Sequence, residues 1–264
     1  MQSVMDAFDH TRFTAEGRTH DVFRQGSGPR IIVIHEVPGI TPNVARFANM
    51  LVEEGFEVVL PSLLGQPGRR VDPLYSARSL ASMCISAEFS AFAWGRSTPA
   101  VDWLKALSAS LYAERAEPLG VVGMCFSGGY GLAMLTEPHV VAPVLSQPSL
   151  PAGVLPAQQR GFPLSDADAA AVAQRVEGED LEVMGLRFTG DPLCRRPRFD
   201  ALRRLLGDRF IGIEIDSSPG NPEGIGRLAH SVLTEELAVD DPGHPTMEAY
   251  RQVVNFLHRH LTTR

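Results

Sequence analysis

Short, continuous apolar runs recur along this chain, each followed by a longer amphipathic stretch, and that alternation restricts the fold more than any other feature. Residues 31–35 (IIVIH), 56–61 (FEVVLP), 119–124 (LGVVGM), 140–145 (VVAPVL), 181–190 (LEVMGLRFTG) and 210–216 (FIGIEID) read as strands. Apolar runs of this kind fit strands covered on both faces. The pattern predicts an α/β protein with a mostly parallel central sheet and helices on both sides. An opening strand pair is expected within Arg12–Arg24, turning at Glu16-Gly17.

The helices carry punctuation. Thr41 reads as an N-cap, Pro42 as the first helical residue, and Gly55 follows the last turn. Thr98-Pro99 opens another helix over 101–112, and further helices are expected near 77–93, 166–176, 199–206 and 246–261. No internal repeat or long linker divides the chain, so 1–264 reads as one domain. The less regular stretches 62–96 and 146–165, rich in Pro, Gly and Ser, are expected to form cap or lid segments over a site.

Composition narrows the function classes. With 264 residues the chain is long enough for a substantial core, and 44% hydrophobic against 21% charged residues is ordinary for a globular protein. A net charge of −7 argues against nucleic acid as a partner. The first residues lack the basic start and apolar run of a signal peptide, and no apolar stretch has the length of a membrane span. Three cysteines without CxxC spacing point to a reducing compartment, and away from disulfides or a zinc site. A cytoplasmic location is expected, with no cofactor, no metal and no membrane partner.

The sharpest local signal is Gly123-Met124-Cys125-Phe126-Ser127-Gly128-Gly129. A reactive side chain at a tight strand-to-helix turn needs small neighbours on either side, because the backbone there is strained and closely packed. Such a turn exposes the side chain above the sheet edge and sets it at a helix N-terminus, where the dipole favours a thiolate. It also aims the backbone N–H of Phe126 at a developing oxyanion. Taken alone, Cys125 also fits a small buried apolar residue. Its place after a long apolar strand favours the nucleophile, and Ser127, inside the helix, is the weaker candidate.

In α/β-hydrolases nucleophile, acid and histidine follow in that order, each at the end of a strand. Asp191 ends the run at 181–190, and His230 lies in the loop beyond 210–216, which suits both order and position. Asp216 is the reserve acid and His244 the reserve base. His258 and His260 read as solvated helix-end residues, and Cys84 and Cys194 as structural. At the end of the strand 31–35, Val37 is expected to supply the second oxyanion N–H. Glu36 reads either as a surface carboxylate or as an ionisable group close to the thiol.

Together, HEVPGI at 35–40, GMCFSGG at 123–129, TGD at 189–191 and AHSV at 229–232 resemble the dienelactone hydrolase family. The resemblance implies an α/β-hydrolase fold and a triad of Cys125, His230 and Asp191. It implies a Glu36 that restrains the thiol or helps deprotonate it, and hydrolysis of a small lactone or activated ester without a metal. The family's lactone hydrolases carry an arginine shortly after the histidine, whereas His230 is followed here by Ser231-Val232-Leu233-Thr234. Arg69, Arg70, Arg78 and Arg96 are alternatives for holding an anionic group, although each also reads as solvated. Two other functions stay open at this point. One is an acyltransferase or cyclase on the same scaffold; the other is a non-catalytic binding or redox-sensing protein. The oligomeric state is left open.

Overall fold

The computed structural model describes residues 4–85, 98–149, 161–162 and 164–262. Eight strands form one sheet: β1 (Asp9–Ala15), β2 (Arg18–Gln25), β3 (Arg30–Ile34), β4 (Glu57–Ser62), β5 (Leu119–Met124), β6 (Val140–Ser146), β7 (Val183–Phe188) and β8 (Phe210–Ile215). Their order is β1-β2-β4-β3-β5-β6-β7-β8. The first two pairings, β1 with β2 and β2 with β4, are antiparallel, and the rest are parallel. The β1–β2 hairpin turns at Glu16 (φ +51°) and Gly17 (φ +70°), the left-handed pair that a tight two-residue hairpin loop requires.

Seven helices are described: α1 (Pro42–Glu53), α2 (Pro73–Ile85), α3 (Pro99–Arg115), α4 (Gly128–Ala133), α5 (Asp166–Gly178), α6 (Arg196–Leu206) and α7 (Pro245–Thr262). The expected caps hold. Thr41 Oγ1 accepts from Val44 N–H and Thr98 Oγ1 from Val101 N–H, each at 3.2 Å and each ahead of a proline. Helix α2 begins four residues before its expected start, because Asp72 Oδ1 accepts the Tyr75 N–H at 2.7 Å. The rest of the region expected to be helical beyond residue 85 lies outside the described residues, as do 150–160 and 163 of the expected lid.

Adjacent residues of β5 show the two covered faces. A side chain at Gly120 would meet Leu257 and Leu261 of α7, whereas one at Gly131 of α4 would approach Val121. Successive strand residues point to opposite faces, so α7 and α4 cover opposite sides of the sheet. Phe47 and Tyr250, edge to face at 6.3 Å between centroids, join α1 to the α7 side. Ile31, Ile32, Val33 and Ile34 are wholly buried between the two layers, as an unbroken apolar strand requires.

The two ends of the parallel strands differ. At the N-terminal end, Glu57 accepts from Arg24 (2.6 Å), Arg30 (3.0 Å) and Arg115 (2.8 Å), while Glu114 pairs with Arg24 (3.0 Å) and Arg30 (2.7 Å). The C-terminal end is where loops gather the reactive side chains, as open parallel sheets commonly arrange.

Candidate active site

Cys125 follows the last residue of β5 and opens a single 3₁₀ turn, Cys125–Ser127, that leads into α4. Its φ is +57°, in the left-handed region, which costs a non-glycine residue about 1–2 kcal/mol. Its surroundings hold it there. Ser127 Oγ accepts the Met124 N–H at 2.9 Å and turns its own hydrogen toward the carbonyls of Ile34 (2.9 Å), His35 (3.1 Å) and Met124 (2.9 Å). This buried hydroxyl therefore fastens the end of β3 to the end of β5. It is spent on backbone, so Ser127 has nothing to offer as a nucleophile.

The glycines flanking the turn are steric requirements. A Cβ on Gly123 would stand 2.2 Å from the Ser127 carbonyl oxygen, and one on Gly128 would stand 2.7 Å from Pro148 Cα. Both obstacles are backbone, so neither can swing aside. Gly123→Ala is expected to lower the unfolding free energy by about 1–3 kcal/mol, the usual effect of forcing an extra methyl into a packed site. Urea titration measures this, and an unchanged midpoint would mean that the turn can relax.

Asp191 lies three residues past β7 and is buried, and its two oxygens have different partners. Oδ1 accepts the N–H groups of Leu193 (2.8 Å) and Cys194 (3.1 Å), while Oδ2 sits 2.7 Å from His230 Nδ1. A carboxylate only accepts, so Nδ1 carries the hydrogen and Nε2 is the other face of the ring. That Nε2 is buried, and Cys125 is the neighbour that joins Asp191 in acting on this ring. Burial alone would push the His230 pKa down. The neighbouring Cys125 sulfur as thiolate and the Asp191 carboxylate outweigh it and hold the imidazolium up to about 11.

The loop after β3 is fixed by a buried histidine. His35 Nδ1 donates to the Glu36 carbonyl at 2.8 Å, and Nε2 accepts the Leu63 N–H at 3.0 Å. Burial lowers its pKa to about 4, so the ring stays neutral near pH 7 and keeps its acceptor nitrogen. Gly39 N–H also bonds the Glu36 carbonyl at 2.8 Å, closing the turn that carries Val37. Among the described residues, the Val37 N–H makes no backbone hydrogen bond.

The Glu36 carboxylate is buried and accepts from Ser231 Oγ (2.7 Å), Gln147 Nε2 (3.2 Å) and Thr234 Oγ1. Burial raises its pKa, and the positive charge of His230 works against that rise. Cys125 is not among its hydrogen-bonding partners. Its carboxylate instead ties the His230 loop and the end of β6 to the turn after β3. The thiol's own contact is to Ser149 Oγ, at 3.2 Å.

The structure thus gathers Cys125, Asp191, His230 and Glu36 at one edge of the sheet, with Val37 on the facing loop and Phe126 next to the cysteine. Sequence reasoning missed Gln147, Ser149, Ser231 and Thr234. Their only signal was position, since all four are polar residues just after β6 or just after His230. The reserve residues are engaged elsewhere. Asp216 is exposed and accepts the Ser218 N–H at 2.9 Å, and His244 Nδ1 bonds Thr246 Oγ1 at 2.7 Å. Cys194 is buried and its thiol pushed up by burial, while the side chain of Cys84 lies outside the described part.

The expectation of a solvated His260 is corrected. It is buried, packs on Phe256 and bonds Glu182 at 2.9 Å, because the last turn of α7 lies against the sheet and not in water. Arg69, Arg70 and Arg78 are exposed, and Arg96 lies outside the described residues. Among the described residues, no group of three His, Cys, Asp or Glu side chains could hold a metal ion, and no helix is long and apolar enough to cross a membrane.

Known proteins resemble both the sequence and the fold. The dienelactone hydrolase family profile matches residues 20–154, which include the Glu36 loop and the Cys125 turn but not Asp191 or His230. Carboxymethylenebutenolidase of Rhodococcus opacus is 25% identical over 246 residues, 90% of this chain and 83% of that protein. A putative dienelactone hydrolase from Klebsiella pneumoniae shares the fold with a TM-score of 0.62 at 15% identity, over 96% of this chain and 98% of that one. A dienelactone hydrolase-like promiscuous phosphotriesterase from metagenomic libraries gives 0.64 at 14% identity, over 96% and 97%. With more than half of the chain matched by the profile and this eight-stranded fold around the cysteine turn, the chain belongs to the dienelactone hydrolase family of α/β-hydrolases.

Proposed function

We propose that this chain is a carboxylic ester hydrolase that acts on a small lactone or activated ester through an acyl-thiol on Cys125. One observation supports the reading most. A cysteine held at positive φ at the end of β5 is the neighbour of a histidine whose far nitrogen bonds a buried aspartate.

In this mechanism the Cys125 sulfur attacks the carbonyl carbon, and the N–H groups of Val37 and Phe126 stabilise the oxyanion. His230 Nε2 gives its proton to the departing oxygen and later takes one from the attacking water. Asp191 fixes the ring's tautomer and orientation. Glu36 is a positioning residue, holding the segment after His230 through Ser231 and Thr234. A thiolate is itself a good leaving group, so productive substrates are those whose own leaving group is also good, such as enol-lactones and aryl esters. A thiol nucleophile suits the reducing cytoplasm.

An activated aryl carbamate, whose acyl product hydrolyses slowly, tests the proposal. Mass spectrometry after acid quench is expected to find one carbamoyl group, on Cys125, formed as activity is lost. Loss of activity with the label on another residue would sink the thiol mechanism.

A further inference from the structure

The chain leaves β6 at Gln147, whose φ of +35° turns residues 147–149 back across the cysteine turn. Pro148 packs against Gly128 closely enough to exclude a methyl group there. Ser149 N–H then donates to the Cys125 carbonyl at 3.0 Å, and Ser149 Oγ lies 3.2 Å from Cys125 Sγ. Ser149 is buried, so its hydroxyl is shielded from competing water. Main chain and side chain of Ser149 are both fixed relative to the same residue, which is how a preorganised contact is built.

The other hydroxyls near the site have different duties. Ser127 bonds backbone carbonyls, Ser231 and Thr234 bond Glu36, and Ser146 bonds the Gln147 side chain. The one described hydrogen-bond partner of the Ser149 hydroxyl is the sulfur. The same sulfur is also the neighbour of His230, whose raised pKa it helps to set.

We propose that Ser149 is the hydrogen-bond donor that holds the Cys125 sulfur in the resting site and receives it again as a thiolate when the acyl group leaves. The inference rests on Cys125 being the nucleophile. In acylation a sulfur electron pair forms the S–C bond, and the alcohol leaves with the proton given by His230. In deacylation water attacks the thioester carbon and His230 takes the water's proton. The S–C bond then breaks, and its electron pair returns to sulfur, facing the Ser149 O–H. A donor at that position lowers the energy of the charged sulfur and so speeds its departure.

The test is the pH dependence of Cys125 alkylation by iodoacetamide, read at that residue by peptide mass spectrometry. Ser149→Ala is expected to move the midpoint up by about one pH unit, the size of a lost hydrogen bond to a charged group. Release of the carbamoyl group should slow by about tenfold. Ser149→Thr, which keeps the hydroxyl, should stay near the parent protein on both measures. An unchanged midpoint in Ser149→Ala overturns the proposal even if activity falls, since packing alone would then explain the fall. A threonine variant that follows the alanine one overturns it as well. If Cys125 of the parent protein is not alkylated at all, the nucleophile reading itself fails, and this one with it.

Discussion

Cys125→Ala is expected to lower kcat/KM for an aryl ester by about 10⁴-fold or more while leaving the protein folded. The loss is large because the variant has no atom that can form the acyl intermediate. What remains is the oxyanion donors and a histidine able to activate water, which together give only residual catalysis. The fold should survive for a specific reason. Alanine has a Cβ as cysteine does, so the left-handed backbone at position 125 carries the same strain before and after the change. The stability difference should therefore stay within about 1 kcal/mol, mostly from the removed sulfur contacts. Equal rates in the two proteins would remove Cys125 from the mechanism. A parallel loss of activity and melting temperature would instead mark it as a structural residue.

Asp191→Asn should be nearly as damaging, with kcat down by about 10⁴-fold, and the reason lies in how the carboxylate is shared. Its Oδ1 is committed to two backbone N–H groups, so the asparagine oxygen must take that side. The amide NH₂ then faces His230 Nδ1, which has to become an acceptor. The imidazole proton moves to Nε2, the atom needed to accept a proton from water. The substitution also bears on stability. The folded pKa of His230 is raised, so its contribution is complete below the ordinary value near 6.5 and is lost as pH rises through about 11. Urea unfolding of variant and parent should accordingly differ most near pH 6 and converge toward the alkaline end. A rate within tenfold of the parent across that range would show that Asp191 does not orient the base.

Much of this was legible from residue order, and the rest was not for identifiable reasons. The strand 119–124 matches β5 residue for residue, because an apolar run bounded by a proline before it and a reactive turn after it leaves little choice. Cys125, Asp191 and His230 could be grouped from sequence because parallel strands place the residues that follow them at a common edge. The early start of α2 was missed, although Asp72-Pro73 is itself a cap followed by a first-turn proline. Ser149 and Gln147 could not be found from periodicity, since their positions depend on one left-handed residue after β6. The Glu36 partners were hidden for a related reason. Ser231 and Thr234 lie nearly two hundred residues further along the chain, and only the assembled sheet brings them to Glu36. His260 was misread because helix ends are usually solvated, whereas this one is packed down.

The ion-paired clasp at the opposite end of the sheet has a bearing on how such a scaffold can change. Glu57 and Arg30 open β4 and β3, the full length of the strands away from Cys125, and neither contributes to a loop at the reactive edge. A share of the structural security is therefore drawn from a part of the chain that takes no part in the chemistry. Loops at the reactive edge can be lengthened, traded or re-sequenced in pursuit of another substrate while the clasp goes on holding the neighbouring strands together. A library confined to those loops inherits a sound frame, and a lineage that drifts there keeps its foldability as its chemistry diversifies.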